Sequence, residues 1–274
     1  MKIVDCFPFY NEIDILTYRL NLLYNTVDYF IIVESTHTHV GNEKRLYFDE
    51  IKDSFGEMNN KIIHVIVDDF PCKAPDIRLS PDMSGEQWIN EGFQRNCTPR
   101  GLEKIPDLQG EDIIIVSDAD EIPDPRMLTN IKNGNISVTI NRMEMDLYYY
   151  NLNTTFIHKW SKGYLGRYHH ISNSLNSGNT LSILRETAFE SIRKGGWHLS
   201  YFGDVKFIQN KLQQFAHTEF GGDEYTNESH INQQVQKGES VFNLGSENMM
   251  KLPFQDNPNP PLLCLIYLPK YILY

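Results

Sequence analysis

The chain has 274 residues, 41% hydrophobic and 12% aromatic, enough to bury a substantial core and too apolar for a disordered segment. Its 36 acidic against 25 basic residues give a net charge of −11, which argues against a nucleic-acid surface. Four cysteines, Cys6, Cys72, Cys97 and Cys264, form no CxxC pair, so neither a zinc site nor a disulfide scaffold is expected.

The opening Met1-Lys-Ile-Val-Asp-Cys-Phe7 reads as a strand over Ile3 to Phe7, leaving no room for a signal peptide. The apolar run near the end, Leu262 to Leu268, is too short to span a bilayer, so a soluble chain, cytoplasmic and without a membrane segment, is expected. From Asp14, a plausible N-cap, the residues Ile15, Arg19, Leu22 and Leu23 recur at helical spacing. Tyr29 to Val33 is a second buried strand, so the chain opens as a βαβ unit with parallel pairing. A polar loop from Thr36 to Arg45 and a short helix from Phe48 to Phe55 lead to a third strand, Ile62 to Val67. The proline-rich stretch Cys72 to Gly85 is a long loop suited to covering a ligand, and Trp88 to Leu102 reads as a helix weakened at Pro99.

Next comes Glu111-Asp-Ile-Ile-Ile-Val-Ser-Asp-Ala-Asp-Glu-Ile-Pro123. Ile113 to Val116 is apolar without alternation, the pattern of a strand buried on both faces. Asp118, Asp120 and Glu121 follow at its carboxyl end, the edge where open α/β sheets carry ligands. Carboxylates so close repel one another unless a cation lies among them, so this is either a solvated acidic turn or a divalent-metal site for a phosphorylated substrate. The strands alternating with helices make this an α/β chain. The second half is mixed: Val138 to Tyr150 is one long strand or two short ones, Leu181 to Ile192 a strand-to-helix passage, Gly195 to Gly203 a glycine-framed strand and Val205 to Phe215 a helix. Pro253 to Pro261 is mostly turn, and the last residues form an edge strand.

Six blocks occur in one order along nearly the whole chain: Val4-Asp-Cys-Phe-Pro-Phe-Tyr-Asn-Glu12, Val27-Asp-Tyr-Phe-Ile-Ile-Val-Glu-Ser35, Phe93-Gln-Arg-Asn96, Val116-Ser-Asp-Ala-Asp-Glu-Ile-Pro123, Gly196-Trp-His-Leu-Ser-Tyr201 and Phe215-Ala-His-Thr-Glu219. Together they resemble glycosyltransferase family 17. The resemblance implies a GT-A fold, a mixed sheet with helices on both faces, as one catalytic domain over 1–274. Residues 1–125 would form the nucleotide-sugar half, 126–250 the acceptor side and 251–274 a tail. It also implies an inverting enzyme, a UDP-sugar donor (UDP-GlcNAc), an oligosaccharide or glycoprotein acceptor, and Mn²⁺ or Mg²⁺. The remaining alternatives are another donor such as UDP-glucose or UDP-galactose on the same fold, and a metal-dependent nucleotidyl- or phosphotransferase. Against the latter stands the lack of a Gly-x-x-x-x-Gly-Lys-Ser/Thr loop.

On this resemblance Asp120 is the direct metal ligand and Asp118 holds a metal-bound water or the ribose, while Glu121 either reinforces that shell or folds the Pro123 turn. His217 is a third metal ligand or a satisfied histidine, with Glu219 placed to orient it. Arg95 contacts phosphate or uracil, or pairs with Glu91 one turn earlier. Phe7, Asn11, Glu12 and Glu34 border the donor, Glu34 on the ribose hydroxyls and Asn11 on the uracil amide unless it caps the next helix. Trp197, Tyr201 and Trp160 stack on sugars or pack in the core, and His198 contacts either substrate. An inverting displacement needs a base at the acceptor hydroxyl; of Asp146, Glu186, Glu219 and Glu224, Glu186 is favoured because it precedes the Trp197 segment.

Overall fold

Ile113, Ile114, Ile115 and Val116 are all buried because their sheet is covered on both faces. In the computed structural model, which describes residues 1–273, the first half supplies β1 (Ile3–Phe9), β2 (Tyr29–Ser35), β3 (Ile62–Val67) and β4 (Ile113–Val116). They run parallel in the order β3-β2-β1-β4, with Val4 opposite both Tyr29 and Ile114. Side chains alternate between the faces of a strand. Ile113 and Ile115 therefore join Ile3, Phe7 and Leu16 in one core, while Ile114 and Val116 join Val4, Cys6 and Val33 in another.

Among the described residues six further strands complete the sheet: β5 (Glu121–Pro123), β6 (Ile140–Tyr149), β7 (Thr154–Phe156), β8 (Tyr164–Arg167), β9 (Ser191–Ser200) and β10 (Met249–Lys251). β8 pairs antiparallel with β4 and with β6; β7 and then β10 extend the far edge. β9 runs parallel to β6 and antiparallel to β5. The β5–β9 approach requires Gly196: its φ is 145°, and a Cβ there would stand 2.0 Å from the Ile122 carbonyl oxygen. One mixed GT-A-type sheet thus joins both halves. The helices Ile13–Leu23 and Pro125–Lys132 cover one face, and Glu86–Asn96 with Leu181–Glu186 the other.

Of the two readings of Val138 to Tyr150 the single strand holds, as β6. Several other elements differ from expectation. A helix at Pro125–Lys132 was not expected: Pro125 opens it, and Asp124 caps it by accepting from the Arg126 amide. Leu181 to Ile192 passes from helix to strand, the reverse of the expected order, because Thr180 caps a helix at Leu181–Glu186. The first helix starts at Ile13, so Asp14 is not its cap. The helix expected through Leu102 stops at Asn96, and Pro99 opens a separate turn. Instead of an edge strand, the final described residues form the turns Cys264–Tyr267 and Pro269–Tyr271; Tyr274 lies outside the described residues. Among the described residues no helix is long and apolar enough to cross a membrane.

Candidate active site

The turn after β4 is held from beneath by one arginine. Arg19, on the core-facing side of its helix, meets Asp5 through Nε at 2.8 Å and Nη2 at 2.6 Å, both residues being fully buried. Its Nη1 donates to the carbonyl oxygens of Asp118 (2.6 Å) and Ala119 (3.1 Å), and its Nη2 to Ser117 Oγ (2.7 Å). A buried charge needs a partner and filled hydrogen bonds, and this one spends its own on fixing the turn. Phe7 packs under the same guanidinium, 4.1 Å from its ring centroid, and does not border the cavity.

Above that base the carboxylates are individually paired. Asp118 accepts from Arg95 Nη2 at 2.7 Å on one oxygen and from Arg185 Nη2 at 2.5 Å on the other. The fully buried Glu121 takes both Arg185 Nη1 (3.0 Å) and Nη2 (2.8 Å), Trp160 Nε1 (2.5 Å) and the Asp118 amide (2.9 Å). Asp120 accepts from Lys211 Nζ at 2.9 Å on Oδ2, with His198 Nε2 3.4 Å from Oδ1; Lys211 is also 3.4 Å from Glu12. Burial alone would push these carboxyls up. For Asp118 that push is outweighed by Arg185 and Arg95, and for Asp120 by Lys211 and His198, so both stay below the ordinary carboxylate range. Burial works against the Lys211 ammonium too, but Asp120 and Glu12 hold its pKa above the usual lysine value.

These groups face a cavity of about 650 Å³, within the size range of ligand sites. Its charged border includes Glu12, Lys44, Arg95, Asp118, Asp120, Arg185 and Lys211, and its apolar border Trp88, Tyr149, Trp160, Tyr201 and Phe220. Glu186 and its ion-pair partner Lys162 stand at the border as well, both partly exposed. Burial pushes the Glu186 carboxyl up, but Lys162 brings it net below its ordinary value. The long loop before the Glu86 helix contributes Met83.

The site is thus a buried, charge-balanced strand end opening on an aromatic cavity. The family model of glycosyltransferase family 17 matches residues 1–273. The chain belongs to glycosyltransferase family 17. Over 125 residues it is 29% identical to the β-1,4-mannosyl-glycoprotein 4-β-N-acetylglucosaminyltransferases of Rattus norvegicus and Homo sapiens. The match covers 44% of this chain and only 22% of either relative, so the chain spans a minor part of the curated relatives it matches. A crystal structure of residues 1–349 of S. aureus TarS aligns with 90% of this chain and 74% of its own at 10% identity and a TM-score of 0.39. The fold therefore rests on the sheet itself.

Of the family-implied site residues, the cavity is bordered by Glu12, Arg95, Asp118, Asp120, Glu186, His198 and His217. Phe7, Asn11, Glu34, Trp197 and Glu219 are not among its lining. Glu34 is fully buried and accepts from the Tyr47 and Phe48 amides (2.6 and 3.2 Å) and from Lys44 and His64 (both 3.1 Å), which leaves no lone pair for a ribose. Asn11 turns to Asn210, its Nδ2 donating at 3.3 Å. Trp197 is fully buried, its Nε1 donating to the Asn259 carbonyl oxygen at 3.0 Å. Glu219 orients His217 through Nδ1 at 2.8 Å, as expected of that pair, but does not itself reach the cavity.

The divalent ion expected on Asp118, Asp120 and His217 does not fit this donor set. Among the described residues no group of three or more His, Cys, Asp and Glu side chains is arranged to hold a metal ion. Both Asp118 oxygens are spent on arginines, Asp120 faces Lys211 and His198, and His217 packs edge-on against Trp88 with centroids 4.6 Å apart. Lys211 escaped the sequence reading. Its signal was present: it lies between Ile208 and Leu212 on the buried stripe of helix Val205–Gln214, where a lysine without a partner would be costly.

Proposed function

We propose that this family 17 chain transfers N-acetylglucosamine from UDP-GlcNAc to a glycan hydroxyl, inverting the anomeric carbon to give a β linkage. The observation that carries the reading is the pairing of fixed cations with a sugar-sized aromatic cavity at the carboxyl ends of β1 and β4. N-acetylglucosamine and a mannose-bearing acceptor are what the relatives' names supply. In this reading the donor diphosphate lies against Arg95 and Arg185, whose forks match paired phosphate oxygens. Trp160 and Tyr149 border the cavity and are the aromatic groups that would pack against the sugars.

Glu186 is the base in this reading. It takes the acceptor hydroxyl proton as that oxygen attacks the anomeric carbon, the carbon–phosphate oxygen bond breaks, and the nucleoside diphosphate leaves with the bonding pair. Its lowered pKa keeps it ionised, and so able to accept a proton, at neutral pH. The test is turnover of a panel of sugar nucleotides with a mannose-containing oligosaccharide, with and without Mn²⁺, the products separated by mass. A glycan heavier by one N-acetylhexosamine is expected. Turnover of UDP-glucose or UDP-galactose alone would change the donor, and release of pyrophosphate would point to nucleotidyl transfer. No turnover of any sugar nucleotide by the folded chain would sink the reading.

A further inference from the structure

The geometry points to Lys211 as a resident cation of the donor site: it takes the divalent ion's place on Asp120 in the donor-free protein and contacts the donor diphosphate. The diphosphate half of this inference rests on the sugar-transfer reading above; the half concerning the free protein does not.

Lys211 is the cation that this arrangement is built around. Its side chain is 17% exposed, yet it borders the cavity, with Asp120 at 2.9 Å and Glu12 at 3.4 Å on its ammonium and the Tyr201 ring centroid 5.4 Å away. An ammonium has three N–H donors, so two flanking carboxylates leave one for an arriving oxygen anion. The same contacts exclude a divalent ion. Hard dications bind carboxylate oxygens at about 2.0–2.6 Å, which would set an ion on Asp120 Oδ2 no more than about 5.5 Å from Nζ, where the two cations repel. His198 Nε2, 3.4 Å from Oδ1, stands on the other oxygen. Asp118 cannot compensate, because Arg95 and Arg185 already neutralise it. The Asp118–Asp120 turn therefore presents no free carboxylate charge until one of these cations leaves.

Mn²⁺ binding to the donor-free protein, followed by electron paramagnetic resonance, tests the first half. Wild type should bind no Mn²⁺ at this turn. Lys211→Met should gain one site, and Lys211→Met/Asp120→Asn should lose it again. Calorimetry in EDTA tests the second half with UDP and uridine as probes. Wild type should bind UDP, and Lys211→Met should weaken UDP roughly 10- to 100-fold, the usual effect of losing a charged hydrogen bond, without altering uridine binding. Lys211→Arg should retain both the fold and UDP binding, so a variant that merely unfolds is recognised by its loss of uridine and of its melting transition.

A single Mn²⁺ site in the donor-free wild type, equal in affinity to that of Lys211→Met, overturns the inference. So does UDP affinity unchanged by Lys211→Met, or wild-type UDP binding that appears only with Mn²⁺. Failure of sugar transfer with the Mn²⁺ exchange intact would remove the proposed reaction and leave Lys211 as the resident cation.

Discussion

On the strand-end side of the cavity Arg19 and Asp5 meet with neither side chain exposed, and Arg185 and Glu121 with 9% and 0% exposed. At the border of the same cavity Glu186 and Lys162 meet with 66% and 39% exposed. Both are ion pairs, but they do different work. Charges deprived of water survive only in fixed geometry, so the buried pairs hold the turn and its donors in one arrangement. A pair open to solvent is held weakly, and its members remain free to titrate and exchange partners. The buried turn is thus fixed before any ligand arrives, while Glu186 stays accessible to protons. Positioning calls for the first arrangement and proton transfer for the second.

The sharpest way to break this contrast is Arg19→Met. It strands the Asp5 carboxylate and frees the carbonyl oxygens of Asp118 and Ala119, so unfolding free energy should fall by about 3–5 kcal/mol. Urea denaturation measures this; a loss under about 1 kcal/mol would mean the turn is held by something else. Glu186→Gln should act on the exposed pair alone. Turnover is expected to drop roughly 100-fold or more while the urea midpoint stays put, because the substitution removes a base and only an exposed ion pair. Turnover within a few-fold of wild type would move the base to another carboxylate.

The same contrast explains what could be read in the chain. Ile113 to Val116 and the carboxylates after it were legible because strand burial and strand-end chemistry are written within one short stretch. Arg19 stood in the apolar helical pattern with Ile15, Leu22 and Leu23; a charge on that stripe was itself the sign of a buried partner, though only the sheet reveals it to be Asp5. Glu34 was placed at the right strand end but given the wrong partner. The loop after β2 folds back and delivers the Tyr47 and Phe48 amides, and nothing in the local sequence states that return path. Arg185 and Lys211 meet the Asp118–Asp120 turn across separations of 67 and 91 residues, distances over which periodicity carries no information. The second half was read less well for a related reason: β6, β8 and β9 mix parallel and antiparallel pairing, and their order depends on contacts that no single segment encodes.

The smallest expected effect is the most specific test of the exposed side. Against the opposing pull of burial, Lys162 does most to lower the Glu186 carboxyl, with Arg185 and Arg142 adding to it, so Lys162→Met should let that pKa rise. A base works when deprotonated, and its rate falls as pH drops through its pKa; a raised pKa therefore moves the acid limb of the pH–rate profile to higher pH. Near neutrality, well above an ordinary glutamate pKa of about 4.3, the rate should change little. Below that range the variant should fall behind wild type by a few-fold. Stability should differ by no more than about 1 kcal/mol, as for other solvent-exposed pairs. If the acid limb stays where it is in Lys162→Met yet vanishes in Glu186→Gln, Glu186 titrates without help from Lys162. If it stays in both variants, the titrating base lies elsewhere, and the contrast between fixed buried pairs and a titratable exposed one must be redrawn around another residue.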